Sequence, residues 1–196
     1  MPPKKQKSAN VKRLAKSVRT DQARARPRRA RKDSDGSVHG SDAGRAVGDE
    51  RELSPFARLV GALQRKKIRF QLIGMSAAIL QGINGGTNDI DLWIDLPPHK
   101  YMRVLRAATS VGAEIIRNTV VALSDHTLVN FVYEVTGLGK FATEFKKAHM
   151  MKFGGVKMPV LPLESIRKSK QAIRREKDLT HLQQIDQYLR VKKESK

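Results

Sequence analysis

The chain has 196 residues, no cysteine, and a formal net charge of +20 from 39 Lys and Arg against 19 Asp and Glu. That length allows one domain of ordinary size plus extra material. The lack of cysteine excludes disulfides, thiolate metal sites and a cysteine nucleophile, and agrees with a reducing, cytoplasmic setting; no apolar run approaches the eighteen or so residues that cross a bilayer, so a soluble protein away from membranes is expected.

Most of the charge excess lies at the start. Residues 1–32 hold thirteen Lys and Arg against one acid, Asp21. The segments "KKQK", "VKRLAK" and "RARPRRARK" lead into the polar stretch "DSDGSVHGSDAGRAVGDE". Such a composition buries too little apolar surface to offset chain entropy, so residues 1–50 read as a disordered basic tail. Its charge suits a phosphate backbone, and a solubilising extension or an unreliable start-site extension fits equally well. An Arg-rich transit peptide fits poorly, because Pro2, Pro3 and early lysines interrupt the pattern.

From Ser54 the pattern turns periodic. "SPFARLVGALQRKKI" predicts a helix with Ser54 as N-cap and Pro55 at its first position, and Phe56, Leu59, Val60 and Leu63 form its apolar stripe. "RFQLIG" reads as a short strand ending at Gly74, and "MSAAILQGI" as a helix closed by the loop "NGGTN". "DIDLWIDL" alternates and reads as a strand that Pro97 and Pro98 stop. "HKYMRVLRAATSVG" is helical by spacing, with Gly112 as its C-cap. "NTVVALS" and "TLVNFVYEV" read as strands joined by a tight turn at Asp125 and His126. "GKFATEFKKAHMMKF" reads as a short helix, "GGVKMPVLP" as a turn and strand, and the rest as one or two helices. The expected order is α-β-α-β-α-β-β-α-β-α, an α/β (α+β) domain over residues 54–192 with a small mixed β-sheet flanked by helices.

Within this pattern Asp89 and Asp91 stand out, because two carboxylates interrupt an apolar strand. Residues one apart on a strand point to the same side. Buried carboxylates need a partner, a hydrogen bond or a metal, so this side faces either water or something positive.

The ordered set of motifs resembles the nucleotidyltransferase superfamily related to DNA polymerase β. Its signature is an apolar residue, Gly, then Gly or Ser, followed after a short helix by Asp-apolar-Asp-apolar. Here that reads Ile73-Gly74-Met75-Ser76 and Asp89-Ile90-Asp91-Leu92. "TLVNFVYEVTGL" is similar to the strand that carries the family's third carboxylate, and "GGVKMPVLPLESIRKSKQAIRREKDLTHLQQI" is similar to the end of small prokaryotic members. The likeness runs from about Phe70 to Leu189.

The resemblance implies Mg²⁺-dependent transfer of a nucleoside monophosphate from a nucleoside triphosphate (NTP) to an acceptor. Asp89 and Asp91 would then hold Mg²⁺, with a two-metal arrangement as the family's usual form. Gly74, Met75 and Ser76 would approach the phosphates with their backbone, helped by the N–H groups opening the helix and by the Ser76 hydroxyl. Lys170 would neutralise the triphosphate.

Two departures matter. Met75 stands where the family has Gly or Ser, a small change if its side chain turns away. Asn130 stands where the third catalytic carboxylate belongs, and an amide brings no charge and no general base. Glu134 lies roughly 13 Å further along that strand, and Asp125 sits at the turn, so neither is a ready substitute. Three readings stay open: an active enzyme with an altered metal site, a catalytically weak nucleotide-binding relative acting as a regulator or toxin-antitoxin partner, and a basic nucleic-acid-binding protein.

Other residues have bland readings beside the sharp ones. Trp93 shares the side of Asp89 and Asp91, and suits base stacking or core packing. His126 and His181 have no spacing that makes a metal site. Arg167, Lys168, Lys170, Arg174, Arg175 and Lys177 form a basic helical segment, either a solvated face or a contact for phosphate or RNA. Asp95, at the strand end, reads as exposed.

Overall fold

The computed structural model describes residues 53–194. The tail expected over residues 1–50 lies outside the described residues. Helix α1 spans Pro55–Arg65, and Ser54 caps it as the sequence requires, its hydroxyl oxygen accepting from Ala57 N at 3.1 Å. The apolar stripe of α1 is buried, with Leu59, Val60 and Leu63 at 0% exposure. Strand β1 (Phe70–Ile73) runs straight into helix α2 (Gly74–Leu80), and strand β2 (Asp89–Ile94) follows the Gly-rich loop. A single 3₁₀ turn at Pro98–Lys100 leads into helix α3 (Tyr101–Thr109).

Strands β3 (Glu114–Arg117), β4 (Val120–Ala122) and β5 (Leu128–Val132) come next, then the short helix α4 (Phe141–Phe145). Strands β6 (His149–Phe153) and β7 (Val156–Val160) form a hairpin, and helices α5 (Leu163–Ile173) and α6 (Glu176–Glu194) end the described chain. The seven strands make one mixed sheet in the order β3-β4-β5-β2-β1-β7-β6. Its centre is antiparallel between β1 and β2, with parallel neighbours β5 beside β2 and β7 beside β1.

Two strands depart from the expected order. β3 reads as nothing in the sequence because all four of its residues are exposed, so no alternation marks it. It exists by pairing with β4 at the sheet edge, and the register shift between Ile115 and Arg117 twists it there. The second is β6, where "HMMKF" was expected to continue a short helix. The helix stops at Phe145, and the Gly154-Gly155 turn, with φ of +56° and +87°, folds the following residues back as a hairpin. Ser54 ties this hairpin to α1, its hydroxyl donating to Gly154 O at 2.9 Å.

The core runs through both sides of the sheet, with Leu72, Leu92, Val129, Phe131, Met158 and Val160 nearly inaccessible. Helices α1 and α3 pack on one another, as do α5 and α6. Among the described residues, no helix is long and apolar enough to cross a membrane.

Candidate functional site

The β1–α2 junction, β2, β5, the bend after β5, α5 and α6 converge on a cleft of about 330 Å³. Its lining includes Gly74, Met75, Asp89, Asp91, Asn130 and Lys170. Six of the seven residues singled out from the sequence therefore share one wall-to-wall space. Ser76 is the exception. It is buried, and its hydroxyl donates to the Asp89 carbonyl at 2.9 Å, so it braces the entry to β2 rather than opening to the cleft.

The strand register explains how the polar groups meet. β1 and β2 pair Ile73 with Asp91, which brings the following Gly74 against the Asp91 carboxylate. Gly74 has φ of +69°, and a Cβ there would collide with Asp91 Oδ2. Glycine is thus required twice, by conformation and by space. β2 and β5 pair Asp91 with Asn130, and the Asn130 amide donates to Asp91 Oδ1 at 3.1 Å. Asn130, expected at the place of a third carboxylate, thus stands beside Asp91 as a hydrogen-bond donor. On the other side Thr87 donates to Asp89 Oδ1 at 2.9 Å.

Burial pushes the Asp91 carboxyl above its ordinary range. The Asn130 hydrogen bond and the Lys170 and Lys177 charges pull it down, while the Asp89 charge adds to the rise.

The helical part of the lining is basic. Lys170 on α5, Arg175 between the helices and Lys177 on α6 line the cleft with His181. Asp178, wholly buried, accepts from Lys170 Nζ at 3.0 Å and from Arg175 Nε at 2.9 Å. His181 Nδ1 lies 3.1 Å from Lys170 Nζ. Burial, then the Lys170 charge, lowers the His181 pKa. Of the six bases in this segment, Arg167 instead pairs with Asp186 along the helix pair.

The remaining candidates separate. β5 ends at Val132 and the chain bends, so Glu134 lines the cleft although it no longer belongs to the strand. Asp125 is not part of that lining; it accepts from Thr127 N in the β4–β5 turn, where His126 adopts φ of +63°. Trp93 is a packing residue, 2% exposed, edge-on to Phe141 at 5.4 Å and donating to Tyr133 O. Asp95 pairs with Arg69. Sequence reasoning missed Thr87, Thr136 and Asp178, whereas Arg175 and Lys177 were named in the basic segment as a solvated face or a phosphate or RNA contact.

No family model matches the chain, and no curated protein matches it. Solved structures do resemble it. The antibiotic-resistance factor ANT(2'')-Ia shares 13% identity and a TM-score of 0.47, covering 69% of this chain and 82% of that one. The lincosamide antibiotic adenylyltransferase LnuA shares 12% identity and a TM-score of 0.43, covering 68% and 97%. An antigenic nucleotidyltransferase-like protein from Paracoccidioides brasiliensis shares 18% identity and a TM-score of 0.44, covering 67% and 74%. At such identities and scores the likeness settles no activity.

Proposed function

We propose that the cleft binds a nucleoside triphosphate with one divalent cation and transfers its nucleoside monophosphate to an acceptor hydroxyl or amine. The observation that carries this reading is that two carboxylates from the sheet, Asp89 and Asp91, and the bases Lys170, Arg175 and Lys177 from the last two helices and their turn line one small space. A cation at the carboxylates and a polyphosphate at the bases would satisfy both.

The donor set fits Mg²⁺, which takes one or two carboxylates together with phosphate oxygens. Asp89 and Asp91, which both line the cleft, would hold it. Among the described residues no group of three His, Cys, Asp or Glu converges, so the usual two-metal form lacks its third carboxylate. When bound, Mg²⁺ would screen the phosphate charge and polarise the α-phosphate.

The chain's own groups do the rest. Gly74 lets the phosphates approach the backbone, and the basic wall holds the β and γ phosphates as pyrophosphate leaves. The acceptor oxygen or nitrogen bonds to the α-phosphorus as the bond to the β-phosphate oxygen breaks. Glu134, the remaining carboxylate lining the cleft among the described residues, would take the acceptor's proton. Asn130 holds Asp91 but cannot remove a proton.

That amide favours one second reading, in which the chain binds the nucleotide and transfers it poorly, as a regulator or toxin-antitoxin-type partner does. Binding and pyrophosphate release separate the two. Calorimetry with Mg²⁺ and the four common triphosphates should show Mg²⁺-dependent binding that Asp89→Asn abolishes. Pyrophosphate release with an acceptor pool then marks the enzyme, and binding without release marks the weak relative. Triphosphate binding that survives Asp89→Asn would remove the site from consideration.

A further inference from the structure

Asp178 does not line the cleft, yet two residues that do are hydrogen-bonded to its carboxylate. One comes from α5 and the other from the turn that separates α5 from α6. That turn is sharp: Arg174 closes α5 in the left-handed region, with φ of 51°. Asp178 lies within the first turn of α6, with Asp178 N donating to Arg175 O at 2.8 Å. Its side chain is 0% exposed, and Lys170 is nearly as enclosed at 11%.

A buried carboxylate is costly without partners, and this one has two, one on each oxygen. Its pKa stays below the ordinary range: burial works to raise it, and the Arg175 and Lys170 hydrogen bonds outweigh burial. One negative charge balanced against Lys170 and Arg175, with Lys177 beside them, leaves the wall with an excess of positive charge. A bare pair of long basic side chains would spread over many rotamers and lose entropy on meeting a phosphate. Fixed beforehand by Asp178, they lose less.

We infer that Asp178 is a positioning residue, which holds Lys170 and Arg175 at the cleft wall and thereby makes the cleft select polyphosphates over monophosphates. This rests on the nucleotide-binding reading above and deepens it. AMP brings no β or γ phosphate to that wall, so its affinity should depend far less on Asp178. His181, also in the cleft lining, lies within hydrogen-bond distance of the same lysine.

The test is the ratio of ATP to AMP affinity of the full chain with Mg²⁺, measured by calorimetry with AMP read in competition. In the parent, ATP should bind far more tightly than AMP. Failure of the parent to bind either nucleotide would overturn the nucleotide reading itself, before any variant is made. Asp178→Asn should lower the ATP affinity by about tenfold or more and leave the AMP affinity nearly unchanged. A structural role alone would weaken both together or lower the thermal midpoint with the ratio intact, and that result overturns the inference. Lys170→Gln, which keeps a hydrogen bond to Asp178 but no charge, covers the case where Asp178→Asn fails to fold. It should lower the same ratio, and an unchanged ratio in a folded Lys170→Gln protein likewise overturns it. In the double variant the two losses should be less than additive, because Asp178 acts partly through Lys170.

Discussion

At the scale of single residues, Asp91 carries opposing demands. Burial raises its pKa, so the folded chain holds the Asp91 proton more tightly than the unfolded chain does. The stability linked to that proton is complete below the ordinary Asp value of about 3.9 and is lost as pH rises through the higher folded value. At neutral pH without a cation the ionised group is therefore a burden on the fold. Asp91→Asn should raise the apo thermal midpoint at pH 7, with the gain shrinking below about pH 4. The same variant should lose all Mg²⁺-dependent stabilisation by ATP, and a lower apo midpoint would show that Asp91 supports the core instead.

Asn130→Asp makes the reciprocal change. It exchanges a donor to Asp91 for a third negative charge, so the apo midpoint at pH 7 should fall and Mg²⁺ should restore it. Where transfer is limited by the missing charge, the rate should rise by roughly 10²–10⁴. Unchanged Mg²⁺ affinity and unchanged Mg²⁺-dependent stability would show that Asn130 does not stand in the carboxylate's place. Gly74→Ala tests the other neighbour: a left-handed alanine costs about 1–2 kcal/mol before its Cβ meets the Asp91 carboxylate.

Elements are held by polar ties as well as by the core. Helix α4 is only five residues long, too short to persist by itself. Its buried Glu144 accepts from Ser165 on α5 at 2.9 Å and from Lys147 at 2.8 Å. Burial works to raise the Glu144 pKa, but those two hydrogen bonds hold it below the ordinary value. Its contribution is thus present above about pH 4.3, the unfolded value, and is lost as pH falls through the folded one. Glu144→Gln should lower stability at pH 7 by about 1–3 kcal/mol in urea unfolding, because Ser165 and Lys147 lose a charged partner. The variant should also show a flatter decline from pH 5 to pH 3 than the parent, and a parallel decline would contradict the tie.

For the molecule as a whole, the cleft lies between distant parts of one sheet and its last two helices. Asp89 on β2 and Lys177 on α6 are far apart in sequence, and Ile185 on α6 is wholly buried in the common core. A nucleotide gripped by both walls should stabilise the domain as a single cooperative unit. At a hundredfold excess over Kd this amounts to about 2.7 kcal/mol. Calorimetric scans should show one transition moving upward with Mg²⁺ and ATP. Two resolved transitions would mean that α5 and α6 unfold separately from the sheet.

The Ser54 cap, the central strands and the carboxylate pair were legible in the sequence because each rests on local rules, whereas the helix expected to close at Gly112 already ends at Thr109 with Ser110 as its C-cap. Ser54 and Pro55 start a helix wherever they precede an apolar stripe, and alternation put Asp89 and Asp91 on one side of β2 without knowledge of its neighbours. The likeness of the TLVNFVYEVTGL strand directed attention to Asn130, which the fold sets beside Asp91. Tertiary structure alone decided the rest. β3 and β6 are edge strands defined by their partners, so their residues show no distinctive period. Glu134 enters the cleft because the chain bends after Val132, and Ser76 leaves it because the Asp89 carbonyl takes its hydroxyl. The basic wall exists because Asp178, a residue exposed by any reading of a polar helix, is buried between Lys170 and Arg175. Hydrogen bonds across a fold depend on distances that no local spacing encodes.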